Sequence, residues 1–400
     1  MPAPNRAVYP VFGFAFNLVL GLLYAWSIFI LPLESHFGWS RAETSLTASL
    51  IFAFFSAGTL AGGMLLPRIK SGPNALLGGL IAGGGFFLSS FTTSLTMFYI
   101  CYGIMGGLGI GIAYQVPISA VRWFPDKKGL VSGILTMGMA LGTFLLGSLG
   151  ARALLPIVGW QATFQIMGLT VIGMSLVCGF ILKAPPADYQ PAGYTPPPGH
   201  TGLWGFTLPQ VFTLKAYWMF LLWAFLLQNG GLVILTHIVP LVQEKGLSAA
   251  EGALALGIIA LANAGGRFLF GYLFDRLGYN RSMALDGLVM TAGLLVLTHL
   301  PASFIYPALL LGAILVGMSY GGGIAQLVAG CMSFFGPRYF PVIFGSSTLA
   351  TMLASFSGPF LGGYLKDSFH DYSAVLYITA TLGLLAALAA WLLKKPEPPR

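Results

Sequence analysis

Long stretches of this chain contain no charged side chain, and they constrain its fold more than any other feature. A helix needs about 20 apolar residues to cross a bilayer. Nine stretches free of Asp, Glu, Lys and Arg reach that length, at residues 7–33, 44–67, 71–121, 129–151, 153–182, 216–243, 287–337, 339–365 and 372–393. The two longest can each hold two helices, with turns at 89–96 and 299–304. With one more apolar segment at 250–274, the sequence predicts an all-α polytopic membrane protein with twelve transmembrane helices.

Composition argues against a soluble enzyme or a secreted domain. Only 8% of the residues are charged, against about 25% in soluble chains. The apolar stretch at 7–33 is too long for the core of a cleaved signal peptide. Cys101, Cys178 and Cys331 lie within apolar stretches, without the spacing typical of disulfides or metal ligands. No paired carboxylates or nucleophile–base sets stand out. We therefore expect no enzyme activity, no metal and no cofactor.

The positive charges are distributed unevenly between the two predicted sides of the membrane. Of the nineteen Lys and Arg residues, fourteen fall in segments on one side, four on the other, and one, Arg267, inside a predicted span. This bias follows the positive-inside rule and places both termini in the cytoplasm. The net charge of +8 therefore reflects topology in a lipid bilayer, and we expect no nucleic-acid partner. The prediction is a multi-pass protein of the cell membrane.

The chain contains an internal repeat. Residues 32–43 (PLESHFGWSRAE) and 240–251 (PLVQEKGLSAAE) share Pro-Leu, Gly, Ser and Ala-Glu at a constant offset of 208. Both end in Ser-x-x-Glu, which predicts a capping box at the start of the second helix of each half. Residues 184–209 are rich in proline, which is typical of an extended linker, and a second type of capping box at 207–210 predicts a short helix before span seven. We predict two parallel six-helix repeats, at 1–183 and 210–400, joined by that linker.

The loop between predicted spans eight and nine, 271–281 (GYLFDRLGYNR), contains Gly271, Asp275 and Arg276. Together with the six-plus-six arrangement and the central loop, it resembles the major facilitator superfamily along the whole chain. The resemblance implies alternating access, in which two halves rock around a central site and this motif takes part in the change of conformation. The matching segment of the first half, 63–72 (GMLLPRIKSG), has Pro67 where the family usually has aspartate. The contact made by that aspartate is therefore expected only from Asp275.

Arg267 is the candidate for the central binding residue. It lies two turns before Asp275, too deep to extend easily to a helix end. An arginine at the centre of a span costs about 2.5–3.5 kcal/mol on insertion scales, which favours a functional role over a structural ion pair. No acid lies in the middle of a predicted span, and the nearest to such a position is Asp286, about two turns inside span nine. A guanidinium without a protein counter-ion suits a carboxylate, which accepts two parallel hydrogen bonds. One fixed charge predicts a small monocarboxylate as substrate.

Two segments are similar to the branch of oxalate/formate antiporters and monocarboxylate transporters, at 123–142 (WFPDKKGLVSGILTMGMALG) and 262–267 (ANAGGR). The resemblance implies a carboxylate substrate, such as lactate. Oxalate carriers are expected to have a second buried cation in span eleven, but residues 346–363 contain no lysine. Animal monocarboxylate carriers usually have aspartate where this chain has Asn263, so their proton relay does not carry over unchanged. Exchange of formate- or oxalate-type carboxylates is the nearest alternative, and a channel or a carrier-like sensor is an alternative of another class.

Five more residues are candidates for the transport site. Asn263 shares a helix face with Arg267 and could bond the guanidinium or a substrate hydroxyl. Tyr114 is a candidate second donor to the carboxylate, and Tyr320 and Tyr24 are weaker candidates for that role. His237 lies toward the outer end of its span, and imidazole is the side chain that usually exchanges protons near neutral pH, so it is a candidate proton carrier. Ordinary helix packing is the alternative for Asn263 and the tyrosines, and a polar cap at the outer mouth of the bundle is the alternative for His237. The prediction is symport of a monocarboxylate anion with a proton, by a protein expected to be monomeric.

Overall fold

The structure, a computed structural model, describes residues 6–39, 41–146, 152–186, 189, 204–369 and 372–398, and all regular elements of this part are helical. The α-helices are α1 (Val8–Leu20), α2 (Ile30–Phe37), α3 (Arg41–Ile69), α4 (Ser71–Ser89), α5 (Leu95–Phe98), α6 (Gly107–Ile118), α7 (Lys128–Gly142), α8 (Arg152–Ile181), α9 (Leu208–Thr213), α10 (Lys215–Glu244), α11 (Ala249–Leu277), α12 (Tyr279–Thr298), α13 (Ile305–Phe335), α14 (Phe340–Phe369) and α15 (Tyr372–Leu392). A π-helical segment, Tyr99–Gly106, joins α5 to α6, and 3-10 segments at Gly21–Ile28 and Ser119–Trp123 follow α1 and α6.

Ten helices in the described part are long and apolar enough to cross a membrane. The other two predicted spans differ for physical reasons. The first is interrupted, because the regular helix of α1 passes into the 3-10 segment Gly21–Ile28 and then into α2, which leaves a shorter apolar helix at Val8–Leu23. The second is α4, which has 19 residues but contains six glycines and Asn74. These residues lower its mean hydropathy.

Two of the predicted helix starts are present. At the start of α11, the amide of Ser248 donates to Glu251 Oε2 over 2.7 Å, and the amide of Glu251 donates to Ser248 Oγ over 3.3 Å. At the start of α9, the amide of Thr207 donates to Gln210 Oε1 over 2.8 Å. The matching box of the first repeat includes Ser40, which lies outside the described residues. Side chains thus satisfy amide groups that the helices leave without a partner.

The helices pack in two groups, α1–α8 and α10–α15, with small residues where they are closest. In the first group, Gly109 of α6 lies against Ala82 of α4, and Gly83 of α4 lies against Gly168 of α8. A Cβ atom on these glycines would overlap the neighbouring backbone. Close backbone approach of this kind stabilises helix association in a bilayer, where lipid tails remove most of the hydrophobic driving force.

The described parts of the connection between the two groups lie at one end of the molecule, which we call the linker end. It comprises the described loops and helix ends at residues 6–7, 119–128, 183–186, 189, 204–214, 335–340 and 393–398. Backbone and side-chain bonds join these loops: Trp123 Nε1 donates to the Lys183 carbonyl over 2.8 Å, and the amide of Phe206 donates to the Phe335 carbonyl over 2.9 Å. Hydrogen bonds therefore join the loops of the linker end to one another.

The two groups meet on the side of the linker end. Between groups, α7 packs against α11 and α13, and α3 packs against α14. Gly129, at the start of α7, lies against Gly271 near the end of α11, and Gly63, near the end of α3, lies against Pro341 at the start of α14. Gln115 Nε2 donates to the Pro341 carbonyl over 2.9 Å. These contacts hold the bundle closed at the linker end.

Candidate functional site

Arg267 lies deep inside the bundle. It is ten residues before the end of α11 at Leu277, which corresponds to about 15 Å along the helix axis. Its side chain is 4% exposed. All other Lys and Arg residues of the ten spans lie in a first or last turn, namely Arg68, Arg122, Lys128, Lys215, Arg276, Arg281 and Lys366. Arg267 is therefore the one cation at mid-depth in the described spans.

The guanidinium of Arg267 contacts two neutral acceptors. Its Nε donates to Asn263 Oδ1 over 2.9 Å, and its Nη1 donates to the backbone carbonyl of Thr136 over 2.5 Å. Asn263 lies one turn earlier on α11, whereas Thr136 belongs to α7 of the other group. None of the described Asp and Glu side chains pairs with Arg267. The positive charge thus stands at the junction of the two groups without a carboxylate from the described chain.

Glycines allow this junction to form. Gly133 of α7 lies directly against the backbone of Arg267, and Gly266 of α11 lies against the backbone of Met318 in α13. Gly321 of α13 lies against the backbone of Asn263. A side chain at any of these positions would separate the helices, so α7, α11 and α13 meet at the level of the arginine because their contacts are made by glycine.

The tyrosine candidates occupy different places. Tyr114 on α6 is buried, and its ring centroid lies 5.4 Å from that of Phe55 and 6.1 Å from that of Phe344, which belongs to the other group. Arg267 makes no hydrogen bond to Tyr114 within the described chain. Tyr320 on α13 is buried, and its ring packs against Gly231 of α10. Tyr24 lies in the 3-10 segment after α1, and its side chain is outside the described part of the structure.

His237 lies away from Arg267, near the end of α10 that is opposite to the linker end. Its Nδ1 is 3.2 Å from the hydroxyl of Tyr372, at the start of α15. Its ring also packs against Gly362 of α14. The structure therefore does not bring His237 together with the arginine, and the imidazole belongs to an interface among α10, α14 and α15.

The predicted motif at the end of α11 binds the start of α7. Asp275 Oδ1 accepts from the amide of Gly129 over 2.9 Å, and Asp275 Oδ2 accepts from the amide of Leu130 over 2.9 Å. Gly271 and Gly129 lie against each other's backbones. The carboxylate thus satisfies two amide groups at a helix N-terminus, where negative charge is also favoured by the helix dipole.

The other residues of this motif and of its copy behave differently. The guanidinium of Arg276 lies 5.3 Å from the centroid of the Tyr272 ring, a cation–π contact. In the first repeat, Gly63 contacts the start of α14 in the same manner as Gly271 contacts α7, but Pro67 supplies no carboxylate. The acid cap, the two glycine contacts and the bond from Gln115 to the Pro341 carbonyl join the two groups at the linker end.

The sequence analysis missed two polar residues of the interior. Thr136 and Gln115 make bonds between the two groups, through the Thr136 carbonyl to Arg267 and through the Gln115 amide to Pro341. Asp286 lies about two turns inside its helix, where the sequence analysis places it, but it is more buried than that position suggests. Asp286 is the eighth residue of α12 and is 0% exposed. Its distance from the helix end made it look peripheral, but α12 is covered by neighbouring helices at that level.

The arrangement provides positive charge and hydrogen-bond donors but no group of metal ligands. Among the residues that the structure describes, no cluster of three or more His, Cys, Asp or Glu side chains could hold a metal ion. The candidate site is thus a buried cation between two helical groups, beside an amide and a tyrosine-bearing helix. The planar guanidinium can donate two parallel hydrogen bonds to an anion such as a carboxylate.

Comparison with known proteins identifies the family. The family model of the Major Facilitator Superfamily matches residues 11–359. Human monocarboxylate transporter 11 is 27% identical over 380 residues, which cover 92% of this chain and 79% of that protein. The oxalate:formate antiporter of Oxalobacter formigenes is 25% identical over 387 residues, covering 96% and 90%. These relatives confirm the predicted resemblance to that branch.

Solved structures agree in fold. The crystal structure of the fucose:proton symporter of E. coli has a TM-score of 0.75 at 12% identity, covering 98% of this chain and 100% of that chain. A structure of a superfamily transporter in the outward conformation has a TM-score of 0.73 at 14% identity, covering 97% and 100%. The family match spans most of the chain, and the predicted fold class and the absence of an enzymatic role agree with it. This chain belongs to the Major Facilitator Superfamily and is a multi-pass membrane transporter.

Proposed function

We propose that this transporter carries a small monocarboxylate, such as lactate, together with a proton, and that Arg267 binds the carboxylate. One observation carries the proposal: the mid-depth guanidinium donates to two neutral acceptors and to no described carboxylate. An arginine has more donors than those two acceptors use. The remaining donors suit a planar anion that accepts two parallel hydrogen bonds.

The charge of the site sets the charge of the substrate. One mid-depth cation balances one negative charge, and the other basic residues of the described spans lie at helix ends. A dianion or a phosphate ester would leave negative charge uncompensated at a depth where unpaired charge is costly. A monoanion cancels the charge of Arg267, so the loaded site can be enclosed between the two groups.

Alternating access gives the site its two openings. The contacts at the linker end, including the cap of Asp275 on α7, close that end in the present conformation. We propose that substrate enters from the opposite end, with 1–183 and 210–400 acting as the moving halves of a monomer. The positive-inside bias supports a cytoplasmic linker end in a cell membrane. Binding at Arg267, which touches both groups, is then positioned to favour the change of conformation.

Uptake by purified protein in proteoliposomes tests the proposal. We expect Arg267→Ala to reduce the apparent affinity for L-lactate by about 100-fold, since a charge-assisted pair of hydrogen bonds contributes about 3 kcal/mol. Arg267→Lys should keep the charge but lose the planar donor pair. Its apparent affinity for L-lactate should therefore lie between those of the wild type and of Arg267→Ala. Arg281→Ala, at the start of α12, is the matched control and should behave like the wild type. Equal uptake by all four proteins would overturn the proposal.

Exchange without net proton movement is the second candidate, because an oxalate:formate antiporter is among the relatives. The two mechanisms differ in their response to a pH gradient. A symporter accumulates external lactate when the outside is acid and the lumen contains no carboxylate. An exchanger takes up labelled substrate only when the lumen holds a carboxylate to leave. Uptake into empty, pH-clamped vesicles therefore separates them.

A further inference from the structure

Asp286 is the most deeply buried acid of the described chain, and it has no role in the proposed transport site. It lies on α12, about 10 Å from the start of the helix, and its side chain is 0% exposed. Both carboxyl oxygens are buried and accept no hydrogen bond from a described residue. The nearby hydroxyl of Ser319 donates instead to the backbone carbonyl of Asp286, over 2.9 Å.

Asp286 has no ion-pair partner among the described residues. The titratable side chains of the helices packed on α12 are Lys215, Tyr217, His237 and Glu244 on α10, Glu251, Arg267, Tyr272, Asp275 and Arg276 on α11, Tyr306, Tyr320 and Cys331 on α13, and Tyr372 and Tyr377 on α15. Several of them have partners of their own, namely Arg267 with Asn263 and Thr136, Asp275 with Gly129 and Leu130, Tyr217 with Ser346, His237 with Tyr372, Cys331 with Ser347 and Tyr377 with His299.

Burial without a partner favours one protonation state. An ionised carboxylate that is enclosed in an apolar interior without a hydrogen bond or a counter-ion loses its hydration and gains nothing in return. The neutral acid avoids most of that cost. In the present conformation, closed at the linker end, the surroundings of Asp286 therefore favour its protonated form.

A turn of three glycines separates this acid from the arginine site. Gly321, Gly322 and Gly323 follow one another in α13. Gly321 lies against the backbone of Asn263, which accepts from Arg267, while the position that a Cβ would take on Gly323 is 3.8 Å from Asp286 Oδ2. The Phe270 ring packs against Gly322 and the Leu227 side chain packs against Gly323. A shift of α13 against α11 and α12 would change the surroundings of both together.

We propose that Asp286 is the residue that binds the co-transported proton, an inference that rests on the function proposed above. The carboxylate takes a proton from hydronium, so that an O–H bond of hydronium breaks as the carboxyl O–H bond forms, and it later returns the proton to water on the other side. With Asp286 protonated and Arg267 charged, the region carries one positive charge, and one monoanion cancels it. After both leave, the ionised Asp286 balances Arg267. The loaded and the empty forms are both neutral, while forms with only one of the two ligands are charged.

This charge balance explains obligatory coupling. Moving an uncompensated charge between the two conformations is costly in a membrane interior. Only the neutral forms change conformation readily, so proton and anion cross together or not at all. The proposal assigns the proton to α12 rather than to His237, which faces Tyr372 away from the site.

Asp286→Asn tests the assignment, because the amide imitates the permanently protonated acid in shape and charge. We expect counterflow of labelled L-lactate within about twofold of wild type, since the loaded form persists. Accumulation driven by a pH gradient should be lost, since the empty carrier retains its charge. Glu397→Gln, an exposed acid near the C-terminus, is the matched control and should keep both activities. Gradient-driven accumulation by Asp286→Asn, or its loss in His237→Gln but not in Asp286→Asn, would overturn the inference.

Infrared spectroscopy of the purified protein measures the protonation of Asp286 directly, without a transport assay and without substrate. Wild-type protein at neutral pH should show the carbonyl stretching band of a protonated carboxylic acid, and Asp286→Asn should lack it. Asp286→Glu should restore the band and part of the gradient-driven uptake. Absence of the band from the wild type would contradict the proposal. If Arg267→Ala transports lactate like the wild type while the band follows Asp286, the proposed substrate site fails and the protonated acid stands.

Discussion

Arg267 and Asn263 form a pair whose chemistry depends on the amide being neutral. The amide oxygen lies 2.9 Å from the guanidinium Nε, so it orients the arginine without cancelling its charge. A carboxylate at the same place would both orient and neutralise it, and the anion would then compete with an internal partner. Asn263 thus preserves the positive charge that the proposed substrate needs.

Replacement of Asn263 by aspartate should therefore weaken substrate binding. We expect Asn263→Asp to raise the lactate concentration for half-maximal uptake about tenfold at neutral pH, equivalent to about 1.4 kcal/mol. The effect should shrink as the pH falls, because protonation removes the new negative charge. The measurement is the concentration dependence of uptake at several pH values. Asn263→Leu adds no charge and is the control; a pH-independent defect that is equal in both variants would contradict this account.

Individual residues differ in how far the sequence reveals them. Arg267 could be predicted because a charge inside an apolar stretch is visible without any knowledge of neighbours. The contact with Thr136 could not, since it uses a backbone carbonyl that only the packing of α7 on α11 brings into place. Asp286 lies near the end of its apolar stretch, and its burial depends on helices that are distant in sequence. Periodicity alone cannot report such burial.

At the scale of elements, α7 begins against a carboxylate from the other group. Asp275 satisfies the amides of Gly129 and Leu130, so the start of α7 is stabilised only while the linker end is closed. The same acid cannot reach these amides when the groups separate. The cap therefore contributes to the difference in free energy between the two conformations rather than to folding alone.

Loss of this cap should open the linker end. We expect Asp275→Ala to favour the open form about fivefold, since a capping interaction is worth about 1 kcal/mol. Ser333 lines a small cavity with Lys128, Trp204 and Lys395 between the groups at that end, so maleimide labelling of Ser333→Cys reports opening. The three native cysteines are buried, which keeps the background low. Labelling that is unchanged by Asp275→Ala, relative to the surface control Asp126→Ala, would show that the cap does not govern closure.

Helix boundaries were predictable where capping and turn residues mark them. The boxes at the starts of α9 and α11 lie where the sequence places them. The first span departs from expectation because it passes into a 3-10 segment at Gly21–Ile28. Gly21, the first residue of that segment, lies against the backbone of Gly142 in α7. Local sequence patterns do not predict this tertiary contact. Regular helix thus gives way where packing requires it.

At the scale of the whole molecule, the repeat predicts equivalent contacts and the structure contains them. Gly63 and Gly271, which are 208 residues apart, each touch the start of a helix in the other group. The parallel arrangement could be predicted from the number of spans between the repeats. Which end is closed could not, because both conformations use the same sequence and differ in contacts that exchange during the cycle.

The orientation of the molecule in the membrane gives a prediction at this scale. A protease site inserted in the linker at residue 195 should be cut in inside-out vesicles and protected in intact spheroplasts, because the basic segments flank the linker end. A site inserted at Gly246, in the turn between α10 and α11, should show the opposite pattern. Cleavage of the linker site from outside would reverse the proposed direction of entry.

The most direct test of the central claim is ligand-induced stabilisation of purified protein. A ligand at 100 times its Kd stabilises the folded state by about 2.7 kcal/mol, which appears as a rise in Tm. We predict that a small monocarboxylate from a panel of formate, acetate, L-lactate, pyruvate and benzoate raises the Tm of the wild type. The uncharged amide of that acid should not raise the Tm of the wild type. Neither the acid nor the amide should raise the Tm of Arg267→Ala. If Arg267→Ala is stabilised as much as the wild type, or if the amide acts as well as the acid, Arg267 does not bind the substrate carboxylate.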